Sequence, residues 1–376
     1  MNCRYNGHIV IVFALEHYNP LGLIRSLGEN GVNPVYVSVK RRGPVACLSK
    51  YISTCHFVNT VEEGYRFLLQ TYGQEEQKPY VLFSDDKSVG YFDLHYEEWK
   101  DRFICYNAGA AGRINEFMDK DRILRLAKKH GFRVPDSHVT KTGVIPEGLV
   151  YPVITKDISP NSGSWKSDVY ICENEEELKE AFTRISSPTV QIQHFIDKKN
   201  EYAVEGFAVN HGREIFIGTT LSWKYLIKGY YSPYHDAMML KDAAMREKIR
   251  SMMEEIGFEG LFEVEFLIDQ DGTYYYLETN FRASAWNYSS TVVGMPLSYL
   301  WVKSMENGHI DPADEKPFED FTDMSEVIDY GKRVEGGMCS LAEWLRDFKE
   351  AKNTYYYNKE DPAPFEYLFD HWDEYK

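Results

Sequence analysis

The stretch Phe262-Glu263-Val264-Glu265-Phe266, followed after the turn Asp269-Gln270-Asp271-Gly272 by Tyr276-Leu277-Glu278-Thr279-Asn280-Phe281-Arg282, reads as a β-hairpin over Leu261 to Thr279 and a little beyond. Pairing Asp269 with Gly272 sets Glu265 opposite Tyr276, and the two-residue period of a strand puts Glu278 and Asn280 on the face of Glu265. Two carboxylates and an amide then converge diagonally. Hard oxygen ligands gathered this way suit Mg²⁺, which takes one or two carboxylates and fills its octahedron with water and phosphate oxygens. A metal-bound nucleotide is the occupant this predicts. The competing reading is an acidic strand face that is simply solvated, the usual fate of carboxylates; a solvated face has no need of an E-x-N-x-R string.

Upstream of the hairpin, three apolar strand segments, Tyr151 to Lys156, Val169 to Cys172 and Val190 to Ile196, enclose a helix near Glu175 to Ile185. Strands over Tyr202 to Val209 and Glu214 to Thr220 follow, then a helix over Ala243 to Ile256, which makes an α+β body. Lys156 ends its strand and leads into Ser159-Pro160-Asn161-Ser162-Gly163-Ser164. Backbone N–H groups of such a small polar loop can face phosphate oxygens, with the Lys supplying charge. A Lys that protects a strand edge is the bland alternative. Lys120 lies in the first turn of a helix that Asp119 can cap, whose Ile123, Leu126, Ala127 and His130 share a face and which Gly131 ends before Pro135. A cation there opposes the helix dipole, and an anionic ligand would relieve it; an exposed Lys paired with Asp121 serves equally well.

The first hundred residues have a different grammar. A strand over His8 to Val12 precedes a helix that Pro20 opens and Gly31 closes, then a strand over Val35 to Val39. Helices around Tyr65 to Tyr72 and Tyr91 to Lys100 lead into Val81-Leu82-Phe83 and Phe103-Ile104-Cys105. This alternation predicts a parallel sheet covered by helices. The first turn, Ala14-Leu15-Glu16-His17-Tyr18-Asn19, has no GxGxxG, which excludes NAD or FAD there. The carboxyl ends of the strands offer Glu16, His17 and Asn19, then Ser84, Asp85 and Asp86, either to a substrate ammonium group or as helix caps.

A chain of 376 residues suits two or three lobes. Its net charge of -16 repels nucleic acid, so any phosphate site has to be built locally. There is no apolar run of the ~18 residues a membrane span needs and no signal-peptide pattern at the start, and a cytoplasmic location is expected. Six scattered cysteines without a CxxC pair predict buried free thiols.

Taken together, the segments from Asn107 to Gly308 resemble the ATP-grasp superfamily: the D-K helix with Lys120, the YPVITK strand with Lys156, the loop to Lys166, the hinge Gln191 to Ile196, the EYAVEG strand with Glu201, the VEF with Glu265 and the ETNFR end. The resemblance implies a Rossmann-like pre-ATP-grasp lobe over residues 1–106, a two-lobed ATP-grasp domain over 107–310 (107–189 and 190–310) and an extension, 311–376, with no chemical motif. It implies ATP and Mg²⁺, with Mn²⁺ as a substitute. Lys120 and Lys156, with Ser162, Gly163 and Ser164, would meet the phosphates, the backbone at Gln193, His194, Phe195 and Ile196 the adenine, and Glu201 the ribose. Glu265, Glu278 and Asn280 would hold the metal; Arg282 would neutralise an acyl phosphate, and Lys224 would face the γ-phosphate or a carboxylate. Gln193-His194 stands where many relatives have Glu, and the loop has less Gly than in biotin-dependent carboxylases. The stretches NPLGLIRSLGENGVNPVYVSV and ACLSKYISTCHFV resemble the branch of carboxylate-amine ligases that includes D-aspartate ligases. The activity implied is an ADP-forming union of a small carboxylate with an amine, a homodimer being permitted. Carboxylating ATP-grasp enzymes and a nucleotide-binding regulator without turnover are the alternatives.

Overall fold

Ile9 to Ala14 is an unbroken apolar run, and in the computed structural model, which describes residues 2–40, 44–156, 168–227 and 232–372, it is wholly buried. It belongs to β2 (His8–Leu15), which follows the short β1 (Arg4–Tyr5) and precedes α1 (Tyr18–Gly28). Next come β3 (Val35–Val39), β4 (Thr54–Val58), α2 (Val61–Tyr72), β5 (Tyr80–Leu82), α3 (Asp86–Leu94), α4 (Tyr96–Trp99) and β6 (Ile104–Cys105). The strands run parallel in the order β4-β3-β2-β5-β6, with β1 antiparallel on β2. Strands buried on both faces need continuous apolar sequence, as β2 and β3 have. β4 reads Thr-Cys-His-Phe-Val, lies at the sheet edge and leaves Phe57 exposed, so its sequence carries no such signal. The helical stretch foreseen at Tyr91 to Lys100 is two helices broken at His95, the first starting at Asp86.

After α5 (Arg113–Met118), Asp119 opens α6 (Lys120–Lys129) by accepting the amides of Asp121 and Arg122, both at 3.0 Å. Gly131, at φ +81°, ends it in the left-handed region that a side chain would strain. Four antiparallel strands follow: β7 (Ser137–Lys141), β8 (Val153–Lys156), β9 (Ile171–Cys172) and β10 (Thr189–His194), in the order β7-β10-β8-β9. α7 (Glu175–Phe182) packs its Leu178 with Val153, Val190 and Ile192 on one face of this sheet. That leaves Lys156, Gln191 and Gln193 on the other.

The larger sheet begins with β11 (Lys198–Val209), β12 (Glu214–Trp223) and β13 (Tyr234–Met238). α8 (Ala243–Ile256), β14 (Gly260–Asp269), β15 (Tyr274–Asn280) and α9 (Leu297–Asn307) come next. Its order is β15-β14-β11-β12-β13-β16-β17, where β16 (Phe321–Met324) and β17 (Asn353–Thr354) come from the last sixty residues, interleaved with α10 (Glu326–Tyr330), α11 (Leu341–Glu350) and α12 (Ala363–Asp370). The extension is therefore part of the sheet that carries the acidic hairpin. It is also tied to the first lobe: Arg25, fully buried in α1, donates to Asp361 at 2.9 Å and to the carbonyls of Tyr355 and Tyr356 at 2.9 and 2.8 Å. No helix of the described residues is long and apolar enough to cross a membrane. The six cysteines are free thiols, but of them just Cys105 and Cys172 are buried; the other four are half-exposed, against expectation.

Candidate active site

The hairpin register differs from the expected one. Phe266 pairs with Tyr276, but the pairing then shifts so that Glu265 faces Glu278 and Glu263 faces Asn280, leaving Leu277 as the extra residue of a β-bulge. Glu265 is thus not opposite Tyr276: the turn sets Phe266 there, one residue away from the expected pairing, and the bulge adds a second one-residue shift. The bulge replaces the diagonal approach by direct cross-strand pairs and adds Glu263 to the cluster. Asn280 Nδ2 donates to Glu265 Oε1 at 2.8 Å and to Glu263 Oε2 at 3.0 Å. Across β11, Glu205 pairs with Glu263 and accepts the Ser284 hydroxyl.

These acids are crowded and dry. Burial pushes the Glu265 carboxyl well above the usual carboxylate range, and the charges of Glu263 and Glu278 push it further. Burial raises Glu263 as well, opposed by Arg282 and the Asn280 amide. Glu205 is driven well up by burial and by Glu263. Arg282 is the cation placed among them, with Nε 3.2 Å from Asp86 Oδ1 and Nη1 3.6 Å from Glu263 Oε2. Burial disfavours its charge, yet Asp86, Glu263, Glu265 and Glu278 hold the guanidinium above its ordinary range. The Glu278 carboxylate accepts no hydrogen bond among the described residues, so its oxygens stay available as ligands. Among those residues no three His, Cys, Asp or Glu side chains form a ready-made metal cage. A set of two carboxylates and an amide, with like charges in excess, fits a divalent ion that completes its shell with water and phosphate.

Close to the acids is the polar side of the smaller sheet, where the Lys156 ammonium feels the charges of Glu278 and Glu201. Lys156 Nζ donates to Gln193 Oε1 at 2.8 Å, and Gln191, paired with Lys156 across the strands, is buried with neither amide atom hydrogen-bonded. β8 is an interior strand, which removes the edge-protection reading of Lys156. Desolvation pushes the Lys156 ammonium down to about 8; Glu278 and Glu201 oppose this, while Lys120 and Lys198 reinforce it. Lys120 is the first residue of α6, and its charge is felt at Lys156. Glu201 is bridged by Lys198. In the hinge, the His194 amide donates to the Asp136 carbonyl at 2.7 Å and the Phe195 amide to that of Pro152 at 2.8 Å, so neither is left for a base. Ser162, Gly163, Ser164 and Lys166 lie outside the described residues.

Lys224 pairs with Asp236 at 2.7 Å beside Tyr234, away from the hairpin acids among the described contacts. Two of the first lobe's acids are consumed internally. Glu16 accepts the Tyr36 and Ser38 hydroxyls at 2.7 and 2.6 Å and the Val45 amide at 2.8 Å, and Asp85 accepts the Leu15 and Ser88 amides at 3.0 and 2.8 Å. Of the two readings, ammonium receptor or helix cap, the cap holds for Asp85, whereas Glu16 caps no helix and instead ties β3 and the Val45 loop to the end of β2. Glu263, Glu205 and the pairing of Asp86 were not foreseen as parts of the cluster; the E-x-E spacing of Glu263 and Glu265, which sets both on one face, was the signal for the first.

The shifted Lys156 has a measurable consequence. Its charge is present below about pH 8 and lost above it, so if it meets nucleotide phosphates the affinity should fall above about pH 8, not above the ordinary lysine value of about 10.4. Calorimetric titration of MgATP between about pH 7 and pH 9 is expected to show a several-fold rise in Kd that Lys156→Met abolishes. A flat profile would remove Lys156 from the phosphate site.

A parallel-sheet lobe followed by two largely antiparallel sheets is the ATP-grasp architecture. The carbamoyl-phosphate synthase L chain ATP-binding domain matches residues 119–309, half of the chain, and the chain belongs to that family. The carbamoyl phosphate synthase large chain of Sulfolobus acidocaldarius is 29% identical over 192 residues, which are 47% of this chain; the match spans 18% of that protein's length. Two solved structures share the fold at low identity. One is an L-amino acid ligase from Bacillus licheniformis (TM-score 0.62, 14% identity, covering 83% of this chain and 78% of that one). The other is the biotin carboxylase domain dimer of Hydrogenobacter thermophilus 2-oxoglutarate carboxylase, in complex with MgADP, ADP and bicarbonate (TM-score 0.64, 16% identity, covering 83% and 73%).

Proposed function

We propose that this chain is an Mg²⁺- and ATP-dependent ligase acting in the cytoplasm, which activates a small carboxylate as an acyl phosphate and joins it to an amine. The observation that carries this reading is the grouping of Glu265 and Asn280 with Arg282, and the influence of Glu278 on both Arg282 and Lys156, in a member of an ATP-binding family. A pure nucleotide binder has no use for an arginine set among the acids at the hairpin exit.

Lys120 and Lys156 would hold the phosphates, Glu201 the ribose, and the Ile196 amide the adenine, since its neighbours' amides are taken. Glu265, Glu278 and Asn280 would hold Mg²⁺, which supplies Lewis-acid polarisation of the phosphates. A carboxylate oxygen attacks the γ-phosphorus and ADP leaves; the amine nitrogen then attacks the acyl carbon, phosphate leaves and the nitrogen loses a proton. Arg282 offsets the charge on the transferred phosphoryl group and on the oxyanion of the second step. Most of the catalysis is positioning and charge neutralisation. Lys224 could join only if its pair with Asp236 opened.

Bicarbonate as the carboxylate is the second reading, favoured by the family match to carbamoyl-phosphate synthase. ADP and phosphate release measured over a matrix of carboxylates, bicarbonate and amines, D-amino acids and peptidoglycan precursors included, separates the two. Release that requires an amine supports the first; release with bicarbonate alone supports the second. A chain that binds MgATP but releases no phosphate with any carboxylate refutes both. Sedimentation at assay concentration tests the homodimer.

A further inference from the structure

The first lobe reaches the hairpin exit through the loop between β5 and α3. The Ala283 amide donates to the Phe83 carbonyl at 3.2 Å, and three residues on Asp86 pairs with Arg282 Nε at 3.2 Å. Asp86 sits on a fixed backbone: Asp85 beside it caps α3 through the Ser88 amide and also accepts the Leu15 amide from the end of β2. On its other side Arg282 approaches Glu263, a longer contact at 3.6 Å to an oxygen that Asn280 already serves.

We propose that Asp86 is a positioning residue for the reaction: it fixes the Arg282 guanidinium from the opposite lobe, so that the cation meets the transferred phosphoryl group in one orientation. The inference rests on the ligase reading of this site. Two acids hold the arginine, and they differ in kind. The Glu263 side chain is 4% exposed and lies on the hairpin itself, whereas that of Asp86 is 27% exposed and reaches Arg282 from the first lobe. Losing the Asp86 charge therefore leaves Arg282 compensated by Glu263 but free to turn toward it. The Phe83 to Ala283 contact is made by backbone atoms, so the lobes stay docked.

The test is Asp86→Asn, with Asp86→Glu as the conservative variant, in the full chain. ADP release at saturating substrate is expected to fall ~10²-fold in Asp86→Asn, the scale of a misplaced catalytic group. MgATP affinity and melting temperature should hold, and Asp86→Glu should recover part of the rate. In an Arg282→Lys background Asp86→Asn should add little, because the two residues act as one unit. An unchanged rate in Asp86→Asn overturns the proposal, as does a fall matched by equal losses of nucleotide affinity and melting temperature. A wild-type chain that binds MgATP but releases no phosphate with any carboxylate refutes the ligase reading itself, and the positioning role with it; a wild type that turns over beside an equally active Asp86→Asn refutes the positioning role alone.

Discussion

Glu278→Gln is expected to lower ADP release by roughly 10³-fold at saturating Mg²⁺ while the melting temperature holds or rises. Metal polarisation of a phosphoryl group contributes several kcal/mol to the barrier, and each ~1.4 kcal/mol is a factor of ten. Glutamine keeps the volume of the side chain but removes a charge from the proposed ligand set. The fold should tolerate this, because Glu278 is half-exposed and accepts no hydrogen bond among the described residues. Its charge also crowds Glu265 and Glu263, so neutralising it relieves repulsion. Steady-state ADP release beside thermal unfolding checks both halves; near-normal turnover would show that the hairpin does not hold the metal. Arg282→Ala reports less cleanly, because it strands the buried Glu263 and the half-exposed Asp86 without their cation.

Arg25→Ala should destabilise the protein by about 3–5 kcal/mol, as expected when one partner of a buried ion pair is removed. Arg25 is fully buried, and without it Asp361 keeps the Ser49 hydroxyl at 2.7 Å and the Lys50 amide at 2.8 Å but loses its countercharge. The carbonyls of Tyr355 and Tyr356 lose their donors too. Denaturant unfolding gives the size of the effect, and hydrogen exchange locates it: protection should drop first over Tyr355 to Asp361. A loss within about 0.5 kcal/mol, the range of an ordinary surface substitution, would contradict the assignment. Arg25→Met combined with Asp361→Leu should cost less than Arg25→Ala alone, since no unpaired charge remains.

The sequence was most readable where local chemistry and periodicity agree. Asp119, Ile123, Leu126 and Gly131 mark the start, face and end of α6 without help from tertiary contacts, and the Ala243 to Ile256 helix lies where its pattern puts it. The acidic hairpin could be read because its alternation survives the register error: the turn and the bulge each shift the pairing by one residue, and the two together keep Glu265, Glu278 and Asn280 on one face. β4 and β7 were not legible. Thr-Cys-His-Phe-Val and Ser-His-Val-Thr-Lys are polar strands, recruited by neighbours whose pairing supplies what their own sequence lacks. Long-range polar contacts were equally silent, since Arg25 and Asp361 are 336 residues apart and Asp86 and Arg282 belong to different lobes.

The placement of β16 and β17 beyond β13 bears on how the protein is made. A ribosome releases the first lobe and the acidic hairpin well before residues 353 to 361, and domains fold as they emerge at about 5–20 residues per second. For that interval the nascent hairpin sheet ends at β13, an open edge that β16 and then β17 later cover. Arg25 likewise waits for Asp361. Residues translated after both lobes thus close the sheet edge and the buried charge, and a chain stalled before them would expose a strand edge to aggregation and a buried cation without its anion.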